Sequence, residues 1–242
     1  MNLFANGCSF TWGGALYQSL YDASGNLLDY NNTSAENTQR LKEVWPYHLS
    51  KLLNLNDCIN LSMGCGSNDR ILRTTLDFFT NMRNKRDLSQ WIAVVQWTQS
   101  ARYEYWDEDT QSWAMVTPGH VNLGKKVDYS SVSDRLNKYK DLTYAYQTNR
   151  THAQKYWTQV VSLAAFFDQL AIPYWFTNLS MDNWNELEPF QQEYLKNKVK
   201  WLNGALYGFN SLFEDKFKSS HPSLLGHQQI AQSMHDIIKK QL

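Results

Sequence analysis

Four short segments of the chain have the hydrophobic pattern of β-strands. Residues 91–97 (WIAVVQW) form a nearly unbroken apolar run between polar residues, which is typical of a central parallel strand buried on both faces. Residues 1–6, 58–61 and 173–177 are shorter runs of the same kind. The pattern therefore predicts a sheet with 91–97 near its centre.

Several segments between and after these strands have apolar residues at helical spacing. The clearest case is 153–170, where Tyr156, Val160 and Phe167 fall on one stripe. Strands that alternate with helices favour an α/β fold, in which helices cover both faces of a parallel sheet. The predicted helices are 45–53, 69–82, 153–170, 188–206 and 224–238, with the start of another within 13–21.

Two polar segments interrupt this alternation. Residues 22–40 are rich in Asn, Asp, Ser, Thr and Gly, which predicts a long loop. Residues 103–118 alternate aromatic and polar side chains around an acidic turn, which predicts a hairpin excursion from the sheet. Because no interdomain linker is visible, we predict one domain over 1–242, with 102–150 as an insertion or lid.

Composition narrows the class of protein. Lys and Arg total 23, as do Asp and Glu, so no basic field favours nucleic acid. The chain has no apolar run of membrane-spanning length and no secretory signal, and we therefore predict a cytoplasmic protein without membrane contact. The three cysteines have no paired spacing, which favours a reduced protein. We expect no metal and no cofactor, and the sequence leaves the oligomeric state open.

Ser9 is the first candidate for chemistry. It lies in Gly7-Cys8-Ser9-Phe10-Thr11, directly after the first predicted strand. Glycine at Gly7 permits a sharp turn that places the next side chains at the carboxyl edge of the sheet, where α/β proteins bind ligands. The same residues are compatible with a plain strand-to-helix turn in which Ser9 or Thr11 caps the helix.

Three blocks in order carry a family resemblance. They are Gly7 to Thr11, the middle run Asn60-Leu61-Ser62-Met63-Gly64-Cys65-Gly66-Ser67-Asn68-Asp69, and His221-Pro222-Ser223-Leu224-Leu225-Gly226-His227. Together they resemble the SGNH (GDSL-type) hydrolases, over essentially the whole chain. The resemblance implies a flavodoxin-like three-layer α/β/α sandwich and a serine esterase or acyl hydrolase.

The resemblance also implies the roles of individual residues. Ser9 is the expected nucleophile and His221 the base that takes its proton. The oxyanion hole is expected from the Ser9 backbone N–H, from the tract Gly64, Cys65 and Gly66, and from the third block, where Thr98 or Gln96 supplies a donor. His227 is expected to pack beneath the site or to bond a backbone carbonyl.

Two departures from the family pattern leave alternatives open. The third block reads Gln96-Trp97-Thr98-Gln99 and lacks the expected asparagine, and Lys218 stands where the triad acid is expected. Either Asp215 folds back to orient His221, or a backbone carbonyl does so in a Ser-His dyad, or the protein does not catalyse. In the last case it is a carbohydrate-binding or structural module on the same scaffold.

The aromatic content bears on the substrate. The chain has 10 Trp, 14 Tyr and 11 Phe, many of them in polar surroundings. Exposed aromatic rings stack on sugars, and they also build protein interfaces. Because the resemblance implies ester substrates, many of them acylated glycans, we predict a small or glycan-borne ester and assign Trp97, Arg102 and Trp106 to substrate binding.

Overall fold

A parallel β-sheet forms the centre of the protein, for which a computed structural model describes residues 1–14, 16, 35–84, 87–108, 111–117, 121–123, 129–179, 183–204, 209–214 and 221–241. In chain order the strands are β1 (Asn2–Asn6), β2 (Asp57–Asn60), β3 (Trp91–Trp97), β4 (Tyr103–Asp107), β5 (Ser112–Val116), β6 (Val121–Leu123) and β7 (Tyr174–Asn178). The helices are α1 (Ser9–Trp12), α2 (Ala35–Glu43), α3 (Trp45–Leu52), α4 (Asn68–Arg83), α5 (Tyr129–Tyr146), α6 (Asn149–Gln169), α7 (Pro189–Lys198) and α8 (Leu224–Ile238).

The central sheet has the strand order β2-β1-β3-β7, and all three pairings are parallel. Beyond β7, Trp201 forms an isolated parallel bridge with Phe176. The Phe176 N–H donates to the Lys200 carbonyl, and the Leu202 N–H donates back to the Phe176 carbonyl. This segment occupies the fifth position of a 2-1-3-4-5 order, which is that of flavodoxin-like folds.

Successive side chains of β3 point to opposite faces of the sheet, and both faces are covered by helices. Ala93, Val95 and Trp97 point into one apolar core with residues of α4, α6 and α7. Ile92 and Val94 point into the second core, which α3 and α8 complete. All seven residues of β3 are buried. The result is a three-layer α/β/α sandwich, which confirms the predicted fold class.

The predicted excursion is a separate antiparallel sheet with the order β4-β5-β6. An ion pair holds it against α4: Arg73 donates to both carboxylate oxygens of Glu104, each at 2.8 Å. Asp69 adds a second attachment, because its carboxylate accepts the Glu104 N–H at 3.1 Å and the Lys155 ammonium of α6 at 2.6 Å. The start of the excursion is therefore tied to two helices of the main sandwich.

The structure corrects two of the predicted elements and adds two that the sequence does not predict. Part of the predicted loop 22–40 is helix α2, and most of the helix start predicted within 13–21 lies outside the described residues. The helix predicted over 188–206 ends at Lys198, because the chain then extends to pair with β7. Two elements inside the predicted insertion, β6 and α5, were not predicted at all.

Candidate active site

A sharp turn joins β1 to α1 and carries Ser9. A Cβ at Gly7 would lie 2.4 Å from the Thr11 hydroxyl and 2.9 Å from the Gln96 side-chain oxygen, so only glycine fits there. Cys8 occupies the N-cap position, and its carbonyl accepts the N–H groups of Thr11 and Trp12. Ser9 thus becomes the first residue of α1, at the carboxyl edge of the sheet.

His221 meets Ser9 across 212 residues of sequence. Its Nε2 lies 2.9 Å from the Ser9 Oγ, within the range for a base that accepts a hydroxyl proton. The Phe10 ring stacks on the imidazole, with centroids 4.5 Å apart and planes inclined by 27°. Both side chains are partly exposed. The structure therefore brings the first and last sequence blocks into hydrogen-bond contact, with the imidazole held by an aromatic face.

The middle block packs directly against the nucleophile turn. A Cβ at Gly66 would lie 3.2 Å from the Gly7 carbonyl, which shows how closely the two backbones approach. The Gly66 N–H donates to the Met63 carbonyl at 3.1 Å, which corrects its assignment to the oxyanion hole. Cys65 adopts a positive φ of 59°, and this turns the backbone of the tract. Gly64 keeps its N–H without an acceptor among the described residues.

Thr98 follows β3 and is held by Asn68, the first residue of α4. The Asn68 carboxamide accepts the Thr98 N–H at 2.8 Å and donates to the Thr98 carbonyl at 3.1 Å. The Thr98 hydroxyl is buried and has no partner in the described part of the chain. Gln96 accepts the Thr11 hydroxyl at 2.6 Å, which ties β3 to α1. Both residues predicted to donate therefore keep a buried donor without a partner among the described residues, the Thr98 hydroxyl and the Gln96 Nε2. Thr98 lies beside the block that carries Gly64.

The three predicted substrate residues have different environments. Trp97 is fully buried and packs edge-on against Phe176 and Tyr156, so the structure corrects its assignment: it is a core residue. Arg102 is partly exposed and donates to the Gln99 side chain at 3.2 Å. Its Nε and Nη1 atoms have no partner within the described ranges. Trp106 is 42% exposed on β4.

Trp106 and Trp113 form an exposed aromatic pair on the excursion. They face each other across β4 and β5, with ring centroids 5.6 Å apart in an edge-to-face arrangement. The Arg73 guanidinium lies 4.3 Å from the centroid of the Trp113 ring. The role of this pair in substrate binding stays a prediction.

Lys218 and Asp215 lie outside the described residues. The orientation of His221 by Asp215, or by a backbone carbonyl, therefore stays a prediction.

His227 lies in the core beneath the site. Its Nδ1 accepts the Trp45 N–H at 3.2 Å, so it bonds a backbone amide rather than the predicted carbonyl. Burial, together with the positive charges of His48, His221 and Arg40, lowers the pKa of His227 to about 3. The imidazole is therefore neutral under ordinary conditions.

Two buried polar residues at the site were not predicted. Asn68 was read only as part of the middle block, and Arg40 was assigned to a loop. Both are fully or almost fully buried. Their signal in the sequence is weak, because a polar residue in a polar stretch is normally exposed.

The described residues contain neither a metal-binding cluster nor a membrane-spanning helix. They include no group of three or more His, Cys, Asp or Glu side chains placed to hold a metal ion. None of the helices described is both long enough and apolar enough for a bilayer span.

Comparison with known proteins gives a family, and among solved structures a distant likeness. The model of a family of unknown function, DUF6071, matches residues 26–197, and the chain belongs to that family. Ser9 and His221 lie outside the matched stretch. No curated protein matches the chain. Among solved structures, the chain is similar to phospholipase A1 from Streptomyces albidoflavus NA297 at 9% identity and a TM-score of 0.36, covering 100% of this chain and 99% of that one.

Proposed function

We propose that this protein is a serine-dependent hydrolase of carboxylic esters, with Ser9 as nucleophile and His221 as general base. The observation that carries the proposal is the 2.9 Å contact between the Ser9 Oγ and the His221 Nε2. A serine hydroxyl is a weak nucleophile on its own and needs a neighbouring base to take its proton. The contact brings that base from the opposite end of the chain.

The reaction proceeds in two acyl transfers. Ser9 Oγ attacks the ester carbonyl carbon while its proton passes to His221 Nε2, and a tetrahedral oxyanion forms. When the intermediate collapses, the carbon–oxygen bond to the alcohol breaks, and His221 returns the proton to the departing alcohol. A water molecule then attacks the acyl-enzyme with His221 again as base, which releases the acid and restores Ser9.

We assign three donors to the oxyanion. Ser9 is the first residue of α1, and its N–H donates to no described group. Gly64 offers a second N–H and Thr98 a hydroxyl. The Thr98 hydroxyl takes the place of the asparagine that the third block lacks. A preorganised donor of this kind contributes on the order of 3 kcal/mol to transition-state stabilisation.

The substrate we propose is a small or glycan-borne ester, an acyl or O-acetyl ester. The exposed Trp106 and Trp113 rings support a glycan, because a flat aromatic face packs well on an amphipathic ring. The partly exposed cationic side chain of Arg102 supports a substrate with a polar or anionic group.

Hydrolysis of short p-nitrophenyl esters tests the proposal. We expect Ser9→Ala to abolish hydrolysis without unfolding the protein, because the partly exposed hydroxyl contributes little packing. Ser89→Ala is the matched control, since Ser89 is exposed just before β3, at the opposite edge of the sheet. Equal activity in the wild type and Ser9→Ala would exclude Ser9 as the nucleophile. No activity in any variant would favour the alternative, a binding module on the same scaffold.

A further inference from the structure

The helix that carries Ser9 is too short to be stable alone. α1 has four residues, whereas isolated helices shorter than about 12 residues are marginal in water. The last carbonyls of a helix also need partners from outside it. The geometry of the nucleophile therefore depends on whatever binds the end of this single turn.

Two side chains from distant segments bind those carbonyls. The Asn60 carboxamide donates to the Thr11 carbonyl at 3.2 Å. The Arg40 guanidinium, 28 residues along the chain from Trp12, donates to the Trp12 carbonyl through Nη1. A cation at a helix C-terminus also interacts favourably with the helix dipole.

Arg40 is itself held by contacts besides its bond to the Trp12 carbonyl. Its Nε donates to the Asn37 side-chain oxygen at 2.9 Å, one turn earlier on α2. Its guanidinium carbon lies 3.9 Å from the centroid of the Trp12 ring, a stacked cation–π geometry. The side chain is completely buried. A planar guanidinium suits this combination of stacking and directed hydrogen bonds, whereas a lysine ammonium cannot provide both.

Burial of a charged guanidinium is unfavourable unless its contacts compensate for the lost hydration. An arginine in this position is therefore explained best by the contacts that it makes. We propose that Arg40 is a positioning residue, which holds the α1 turn so that the Ser9 Oγ stays in line with the His221 Nε2. This inference rests on the proposed function, because it assigns Arg40 a part in the reactivity of Ser9.

The test compares Arg40→Met, Arg40→Lys and Asn37→Ala with the wild type. Asn37→Ala is the mildest variant, because it keeps the cation and removes its Nε anchor. Arg150→Met is the control, since Arg150 is exposed and pairs with exposed Glu188. A fluorophosphonate probe first titrates the number of reactive sites, and the rate of inactivation per titrated site is then measured.

We expect the rate per site to fall about tenfold to a hundredfold in Arg40→Met, because misplacement of a reacting atom by about 1 Å has effects of that size. Arg40→Lys and Asn37→Ala should fall by less, and Arg150→Met should match the wild type. Fewer titrated sites with an unchanged rate per site would mean that Arg40 only supports folding, which would overturn the proposal.

Hydrogen exchange of the peptide covering residues 1–14 separates this proposal from the proposed function. We expect faster exchange at the Gly13 and Gly14 amides, which donate to the Ser9 carbonyl, in the Arg40 variants. If the probe labels no serine even in the wild type, the proposed function fails, and exchange then decides whether Arg40 holds the turn. Unchanged exchange in Arg40→Met would overturn the positioning role whatever the labelling shows.

Discussion

At the scale of single residues, the site combines an exposed reactive pair with buried polar groups that hold it. Ser9 and His221 are partly exposed, whereas Gln96, Thr98 and Asn68 are buried beside them. Buried polar groups are costly unless they are hydrogen-bonded, and most of these groups have partners within the site. The Thr98 hydroxyl and the Gln96 Nε2 are the exceptions among these three residues, with no partner in the described part of the chain.

Thr98 therefore allows a sharp test of the oxyanion hole. We expect Thr98→Val to lower kcat by about 100-fold to 1,000-fold, because it removes one donor at nearly constant volume. The free energy of unfolding should stay the same or rise, since a buried hydroxyl without a partner is lost. Steady-state kinetics and urea unfolding measure both. Thr98→Ser should keep most of the activity, and a Val variant with normal kcat would remove Thr98 from the mechanism.

His227 predicts how stability depends on pH. Its pKa is about 3 when folded and 6.5 in the reference state, so the unfolded chain binds a proton first as the pH falls below 6.5. Stability is therefore fully present above that value and decreases on acidification, by about 2 kcal/mol between pH 7.5 and pH 5 for this one group.

Urea unfolding at the two pH values isolates that contribution. His227→Gln keeps an acceptor for the Trp45 N–H but does not titrate, so its loss of stability should be smaller by about 2 kcal/mol. His48, whose pKa is also lowered, is present in both proteins, so its contribution to the pH dependence of stability cancels in the comparison. Equal losses in the two proteins would show that His227 titrates normally when folded.

At the scale of elements, the site is built from loops at one edge of the sheet. β1 leads into the Ser9 turn, β2 into the Gly64 tract and β3 into Thr98, and His221 lies three residues before α8. Because the three strands are parallel and adjacent, their carboxyl ends meet at the same edge. The excursion leaves from that edge too, since β4 begins five residues after Thr98.

The excursion is the element for which we predict a role in substrate binding. Trp106→Ala and Trp113→Ala should raise KM for a glycan ester more than they change the melting temperature, since both rings are about two-fifths exposed. Tyr194→Ala on α7 is a control for the loss of an exposed aromatic ring. A large fall in melting temperature with unchanged KM would mean that the pair only stabilises the excursion.

At the scale of the whole molecule, the parts that the sequence predicts best are those in which burial and pattern agree. The bounds of β3 and α8 match the predicted 91–97 and 224–238, because one is an unbroken apolar run and the other has a clear helical stripe. Helix α2 was missed because polar residues make its buried contacts, Asn37 and Arg40 above all. The sequence pattern predicts helix at Trp201, because the pairing of this segment consists of backbone bonds to Phe176, which leave no trace in the side-chain pattern.

Within the candidate site too, some residues could be predicted from the sequence and others could not. The motifs that contain Ser9 and His221 pointed to their contact, since motif order and the parallel sheet place both at one edge. The contacts of Arg40 and Asn68 were beyond sequence reasoning, because each depends on where a distant backbone carbonyl or amide lies in the folded chain. Trp97 was misassigned because it adjoins the rim in sequence while its side chain points into the core.

Covalent labelling with a fluorophosphonate, followed by peptide mapping, tests the central claim most directly. The account predicts that the wild type is labelled on Ser9, that Ser9→Ala is not labelled, and that His221→Asn reacts far more slowly because the base is gone. The absence of label on Ser9, under conditions where a known serine hydrolase is fully modified, would contradict a catalytic role for the Ser9–His221 pair.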